Sequence, residues 1–368
     1  MNLPDRSKIK LLIFTPTLQC GGSEKYVTLL CNSIDTERFS VCLIVLNNAD
    51  PFYTIKNTAV EVIDLGEKRV LFSLTKIKTT VKKYQPDIIF TTANHLNLYF
   101  VIFRNSFSTK IKFVARESSI VSINNRRAKL PTIYNWLTRR YYNRFDLIVC
   151  QSAYMQHDLM SNYGIPGNKT VLVHNATEGF LQNAVVLPPA DTTGRVYKFI
   201  TVARLSEEKG IERLIHAVGL LSLPFNFYII GDGNRRPYLE KLVHELQLEE
   251  KIFFEGQKPR PFSGMEDADL FLMGSYYEGF PNVLPEAGAL GIPVIAFDVP
   301  GGISEIIFEK ENGMLADDND IIGFATTIRT ALSLNFDRNK IIRDTEKRFS
   351  VESMVGTIEA LFTKLLSG

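Results

Sequence analysis

Short apolar runs, each the length of one buried strand, recur along the first half of the chain: KLLIFTP (10–16), VCLIVL (41–46), DIIFTT (87–92), KFVAR (112–116) and DLIVCQS (146–152). They are apolar at nearly every position rather than at every second one, which suits strands covered on both faces, as in a parallel sheet. Longer amphipathic stretches lie between them. SEKYVTLLCNSI (23–34) sets Tyr26, Val27, Leu30 and Ile34 at helical spacing. The segment QNAVVLPPADTTGRVYK (182–198) breaks this rhythm with two adjacent prolines, polar residues and a glycine, and predicts a linker near 185–195. The alternation then resumes with FITVARL (199–205), FNFYIIGDG (225–233), KIFFEG (251–256), DLFLMGS (269–275) and PVIAFD (293–298). The pattern predicts an α/β protein of two doubly wound, Rossmann-like domains, 1–187 and 195–345, with 346–368 a terminal helix packing back toward the first. Ligands of such sheets bind at the carboxyl ends of the strands, so the expected active site is a cleft where the two domains face each other.

A length of 368 residues supports two cores, and 45% hydrophobic with 22% charged residues is a globular composition. The near-neutral total hides an asymmetry. Residues 1–190 hold 23 Lys and Arg against 13 Asp and Glu, whereas the remainder holds 19 against 27. An anionic partner is therefore expected for the first half only. Cys20, Cys31, Cys42 and Cys150 form no C-x-x-C pair, and no His cluster accompanies them, so no metal site is expected and all four read as buried free thiols. The N-terminus lacks a signal-peptide pattern, and no run of about eighteen apolar residues occurs, which predicts a cytoplasmic protein without a spanning helix.

Candidate chemistry lies at the strand ends. FTPTLQCGGSEK places Gly21 and Gly22 between a strand and a helix, with Ser23 as the expected N-cap; a phosphate could approach such a turn, although an ordinary tight turn has the same sequence. VARLSEEKG (202–210) sets Arg204 and Lys209 beside a helix start, where a diphosphate would need two cations, or where Glu207 and Glu208 would pair them. GDGNRRPYLEKL (231–242) has Gly231 and Gly233 but no third glycine, so a turn near a nucleotide is expected rather than an NAD fingerprint. KIFFEGQKP (251–259) ends in a short polar loop suited to holding a base through its backbone. In YYEGFPNVLPEAGAL (276–290), Asn282 is the expected N-cap and Glu286 falls in the first helical turn. Glu278 and Glu286, carried together by one loop and helix at a strand end, suit two acceptors for a polyhydroxylated ligand.

VARLSEEKG, IIGDG, FFEGQ, YYEGFPNVLPEAGALGIPVIA and ENGML together resemble the second domain of the retaining glycosyltransferases of family four, which have the GT-B fold. The resemblance is dense over 198–318 and limited to GGSEK and the strand order over 1–185. It implies a nucleotide-sugar donor, usually no metal, and attack on the face from which the nucleotide departs. Arg204 and Lys209 match the family's diphosphate contacts, Glu286 its ribose-binding residue, and Glu278 the acid that positions the transferred sugar, beside Gly279, Phe280 and Asn282. Gly22 matches the loop closing over the diphosphate; Gly21, Gly231, Lys258, Val283 and Leu284 complete the implied donor set. Where many members have an acceptor-side histidine, this chain has Arg116-Glu117, leaving these two and His95 as acceptor-side candidates.

The segment NNRRAKLPTIYNWLTRRYYNRF (124–145) interleaves six cations with Tyr134, Trp136, Tyr141 and Tyr142, and KIKTTVKKY (76–84) adds a second basic stripe. Such segments suit an anionic membrane surface or a solvated helix face. Within the resemblance they imply a saccharide or polyprenyl-diphosphate-linked saccharide acceptor at the inner membrane's cytoplasmic face; nucleic acid shares the charge logic but is not expected, because no recognised binding module accompanies it. The expected activity is transfer of a hexose or N-acetylhexosamine, probed against two rivals: a nucleotide-sugar epimerase of similar fold, and an inactive partner subunit.

Overall fold

The computed structural model describes residues 8–67, 70, 73–188 and 194–367. The chain divides into two compact units, Met1–Ala176 with Val351–Gly368, and Thr177–Ser350. The second unit begins ahead of the proline-rich segment because Thr177 N–H donates to the carbonyl of Phe349 (2.8 Å) and Leu181 N–H to that of Ala289 (3.0 Å). Of the linker expected at 185–195, residues 189–193 lie outside the described residues.

The first unit runs β1 (Ile9–Thr15), α1 (Gly22–Ser33), β2 (Phe39–Val45), β3 (Glu61–Asp64), α2 (Leu74–Tyr84), β4 (Ile88–Thr91), α3 (Asn94–Ile102), β5 (Lys112–Arg116), α4 (Val121–Arg127), α5 (Pro131–Tyr141), β6 (Leu147–Cys150), α6 (Ala153–Tyr163) and β7 (Thr170–Leu172). Its seven strands are all parallel, in the order β3-β2-β1-β4-β5-β6-β7. The apolar runs of β1 and β2 are buried on both faces, which is why they carry no alternation.

The second unit continues with β8 (Tyr197–Val202), α7 (Ile211–Gly219), β9 (Phe225–Ile230), α8 (Arg236–Glu245), β10 (Ile252–Gly256), β11 (Leu270–Met273), α9 (Val283–Ala289), β12 (Val294–Asp298), β13 (Gly313–Asp317), α10 (Ile321–Ser333) and α11 (Arg338–Phe349). Its six parallel strands are ordered β10-β9-β8-β11-β12-β13. Both sheets thus reverse direction beside their first strand, between β1 and β4 and between β8 and β11. At such switch points the flanking loops diverge and leave a crevice.

The terminal segment is two helices. Ser350 adopts extended backbone after α11, and α12 (Val351–Ser367) then belongs to the first unit. There Phe362, fully buried, meets Phe39 and Phe90 edge to face, with ring centroids 6.4 and 5.4 Å apart. Glu359 anchors the same face, accepting from Asp35 N–H (2.7 Å) and from Arg38 (3.1 Å). The basic segment 124–145 is likewise broken: Pro131 cannot continue α4 and instead opens α5 at its first position.

Candidate active site

At the second unit's switch point, the loop after β8 and the loop after β11 bring together three of the expected residues. Lys209 ends a short 3-10 turn, Glu207–Lys209, just ahead of α7. Its Nζ lies 2.5 Å from Glu278 Oε1, with the two side chains only 24% and 12% exposed. The hydroxyl of Ser275 donates to the same oxygen at 2.7 Å. Arg204, on the β8 loop, is 72% exposed and pairs with Glu208 at 2.8 Å. Burial alone would raise the pKa of Glu208, but hydrogen bonds from Ser206 (2.6 Å) and Arg204 outweigh it and hold the carboxyl down at about 2. Each cation at this switch point therefore already has a carboxylate partner.

Close backbone approach holds these loops. Gly210 has φ +54°, and a Cβ there would lie 2.0 Å from the Gly274 carbonyl. Gly301 has φ +131°, and a Cβ would lie 1.6 Å from the carbonyl of Glu278, whose N–H donates to Pro300 O at 3.0 Å. Glycine is required at both for the backbone angle as well as for space. Tyr276 N–H completes the join, donating to Glu208 O at 3.0 Å.

Other members of the expected donor set lie in the same unit. Glu286 occupies the first turn of α9, where the helix dipole favours a carboxylate. Asn282 stands at the cap position with helical backbone angles and makes no capping hydrogen bond, so the expected side-chain cap is corrected. Phe280 is buried edge-on against Phe349, 5.7 Å between centroids, and Leu284 is a core residue with Val283 packed beside it, so these shape the loop from beneath. Gly279 links Glu278 to Phe280. Gly231 backs onto the carbonyl of Ala203 in the Arg204 loop. Lys258 stands off β10, two strands from β8, paired with Glu255 at 2.6 Å.

In the first unit, Gly21 caps α1 and Gly22 is its first residue. Ser23 is not the cap; its hydroxyl donates instead to Thr92 O at 2.7 Å, joining α1 to the end of β4. His95 is exposed in the first turn of α3. Arg116 and Glu117 turn inward, 1% and 0% exposed. Arg116 stacks on the Tyr26 ring at 3.9 Å and donates to Asn175 Oδ1 at 2.7 Å. Glu117 Oε1 accepts from Asn97 (2.7 Å) and Tyr142 (2.9 Å). Burial pushes its carboxyl pKa up to about 7, against the pull of those hydrogen bonds and of Arg116. Tyr142, counted in the sequence with the interfacial aromatics, is thereby a core residue. Cys31, Cys42 and Cys150 are buried free thiols, whereas Cys20 is exposed in the loop before Gly21.

Glu208 pairs with Arg204, one of the two cations for which the sequence offers it and Glu207 as partners, whereas Ser206 and Ser275 are not among the expected site residues. Ser275 carried a weak signal, three positions ahead of Glu278 at a strand end. Among the described residues, no three His, Cys, Asp or Glu side chains gather as a metal-ligand set.

Comparison with known proteins places this geometry in a family. The family model "Glycosyltransferase Family 4" matches residues 20–178, and "Glycosyl transferases group 1" matches 191–348. The chain is 27% identical over 322 residues (84% of this chain, 87% of the relative) to a Campylobacter jejuni protein. That relative is N-acetylgalactosamine-N,N'-diacetylbacillosaminyl-diphospho-undecaprenol 4-alpha-N-acetylgalactosaminyltransferase. This chain is also 26% identical, over 76% of its length and 74% of the relative, to the lipopolysaccharide core biosynthesis glycosyltransferase LpsE of Rhizobium meliloti. In fold it resembles the lipopolysaccharide outer core galactosyltransferase WaaB, with a TM-score of 0.78 at 18% identity over 96% of this chain and 99% of that one. The chain belongs to the group 1, family 4 glycosyltransferases of GT-B fold, and is a glycosyltransferase.

Proposed function

We propose that this glycosyltransferase moves a hexose or N-acetylhexosamine, with retention, from a UDP-linked sugar to a saccharide or polyprenyl-diphosphate-linked saccharide during synthesis of a bacterial surface polysaccharide. The observation carrying this reading is the Lys209–Glu278 pair at the β8/β11 switch point, with Arg204 on the adjoining loop. Arg204 is exposed and held by Glu208 at 2.8 Å and, at the longer distance of 3.4 Å, by the Ser206 hydroxyl, so it can exchange that carboxylate for a diphosphate. With Lys209 it would stabilise the charge that develops as the nucleotide leaves, without a metal ion. Glu278 Oε1 already receives an ammonium and a hydroxyl, which makes it a poor nucleophile and suits it to holding a sugar hydroxyl. In this reading Glu286 takes the ribose hydroxyls.

The acceptor is proposed from relatives, two of which are named for an undecaprenol-linked substrate and for lipopolysaccharide core synthesis. Peripheral contact with an anionic inner-membrane surface is proposed for α5. Leu130 just ahead of it, and Ile133 and Trp136 within it, are 55%, 49% and 58% exposed, and Arg139 and Arg140 of the same helix are exposed too. Among the described residues no helix is long and apolar enough to cross a membrane.

The test is a panel of nucleotide sugars scored for nucleoside diphosphate release and for product identity, with and without EDTA. A UDP-sugar consumed equally in EDTA, with an anomerically retained product, is expected. Lys209→Ala and Glu286→Ala should abolish transfer in folded protein. Isomerised donor without transfer, or wild-type turnover in both variants, would sink the reading.

A further inference from the structure

Arg213 lies on the buried side of α7, 3% exposed, next to the core residues Leu214 and Ile215. Its guanidinium is sandwiched between the rings of Tyr276 and Phe297, 4.1 and 3.9 Å from their centroids. Nε donates to Gly274 O at 2.5 Å, Nη2 to Ser275 O, and Nη1 to Asp318 Oδ1 at 2.8 Å. One planar fork therefore ties α7 to the loop after β11 and to the residue following β13. Lysine has no such fork to offer.

Stability alone does not call for this arrangement, because a buried ionic group is often replaceable by an apolar one without loss. What the arrangement does hold is geometry. Lys209 stands two residues ahead of α7, and Gly274 and Ser275 stand just ahead of Glu278. Ser275 is gripped by Arg213 through its carbonyl while its hydroxyl donates to Glu278. A second tie on the same turn, Tyr276 hydroxyl to Glu212 at 3.1 Å, runs parallel to it.

We infer that Arg213 is a positioning residue for the donor site: it sets the spacing of Lys209 and Glu278 by clamping the start of α7 to the 274–278 loop, without itself touching substrate. This rests on the reading of Lys209 and Glu278 given above. Groups that act on a diphosphate and its sugar lose efficiency steeply with misplacement, about 100-fold for 1 Å.

The experiment compares wild type, Arg213→Met and Arg213→Lys. Nucleoside diphosphate and monophosphate binding are measured by calorimetry, and kcat and KM by diphosphate release from the best UDP-sugar. In Arg213→Met, transfer should fall about 100-fold, mainly in kcat, and diphosphate affinity about tenfold. Monophosphate affinity should hold within about twofold, because a monophosphate lacks the outer phosphate that Lys209 would meet. Arg213→Lys, which keeps the charge near Asp318 but cannot bridge both carbonyls, should fall between. Wild-type transfer and diphosphate binding in both variants would overturn the inference. So would monophosphate affinity lost in step with diphosphate affinity, since that marks general loosening. If Arg213→Met does not fold, Arg213→Lys decides by the same split. A wild type that binds nucleotides but consumes no donor would count against the functional reading, and the binding split would still judge Arg213.

Discussion

Substituting methionine for Lys209 keeps an unbranched stem of similar length and deletes the ammonium. Glu278 would then sit 12% exposed with Ser275 as its remaining side-chain donor, 2.7 Å away. Breaking a fully buried pair by removing one partner costs about 3–5 kcal/mol, because the other charge is left stranded. Lys209 is about a quarter exposed, so water can enter and the expected loss is nearer 1–2 kcal/mol. The catalytic loss is a separate quantity. Removing one preorganised group that faces developing negative charge costs about 100- to 1,000-fold in kcat, or about 2.7–4 kcal/mol.

The double variant Lys209→Met with Glu278→Gln separates the two effects. Neutralising Glu278 removes the stranded charge, so urea midpoints should recover toward wild type, with a coupling of about 1 kcal/mol in the cycle. Transfer should stay lost, because neither the cation nor the carboxylate remains. Urea denaturation and initial rates of diphosphate release on the four proteins make the measurement. A Lys209→Met enzyme within about fivefold of wild type would refute the role of the ammonium. A double variant as unstable as the two singles combined would refute the ion pair itself.

Three further outcomes follow from particular contacts. Glu117 has its pKa raised from 4.5 to about 7, so between those values the folded chain binds more protons than the unfolded one, and stability should fall as pH rises through that window and level off above it. Melting temperature against pH should show a shallower fall in Glu117→Gln; identical slopes would contradict the buried carboxyl. Phe362→Ala removes a fully buried ring from between Phe39 and Phe90, and should cost about 3–5 kcal/mol in urea titration of the first unit's transition, while a loss below 1 kcal/mol would show that α12 is not part of that core. Trp136 is the chain's single tryptophan, so its fluorescence should shift to the blue with phosphatidylglycerol vesicles but not phosphatidylcholine ones, and Ile133→Asp with Arg140→Glu should abolish the shift; no shift in wild type would remove α5 as the contact.

What could be read in advance follows from how each segment is buried. β1, β2 and β4 are covered on both faces, so their residues are apolar almost throughout and announce themselves. β3 is an edge strand with three exposed residues in EVID, β7 has only three residues, and β13 begins with glycine and ends with aspartate; none carries a pattern distinct from a loop. The site divides in the same way. Arg204, Lys209, Glu278 and Glu286 were legible because a strand end followed by a helix start is a local signal.

Arg204's partner, Glu208, is local and could be named in the sequence, but the partner of Lys209 could not, because it is chosen by the strand order. Lys209 and Glu278 are 69 residues apart and meet only because β8 lies beside β11. The same dependence sends Arg116 and Glu117 the other way. They end a strand, as the site residues do, but β5 lies between β4 and β6, away from the switch point, and their side chains run beneath α1 to Tyr26 and inward to Asn97 and Tyr142. Arg213 is the instructive intermediate. Its burial could have been suspected, since IERLIHAV leaves little of the helix free of apolar neighbours, and an arginine so placed must find acceptors inside the protein. Two of those acceptors are carbonyls, which any residue supplies, so no residue type at 274 or 275 could have named them in the sequence, and the third, Asp318, lies 105 residues away.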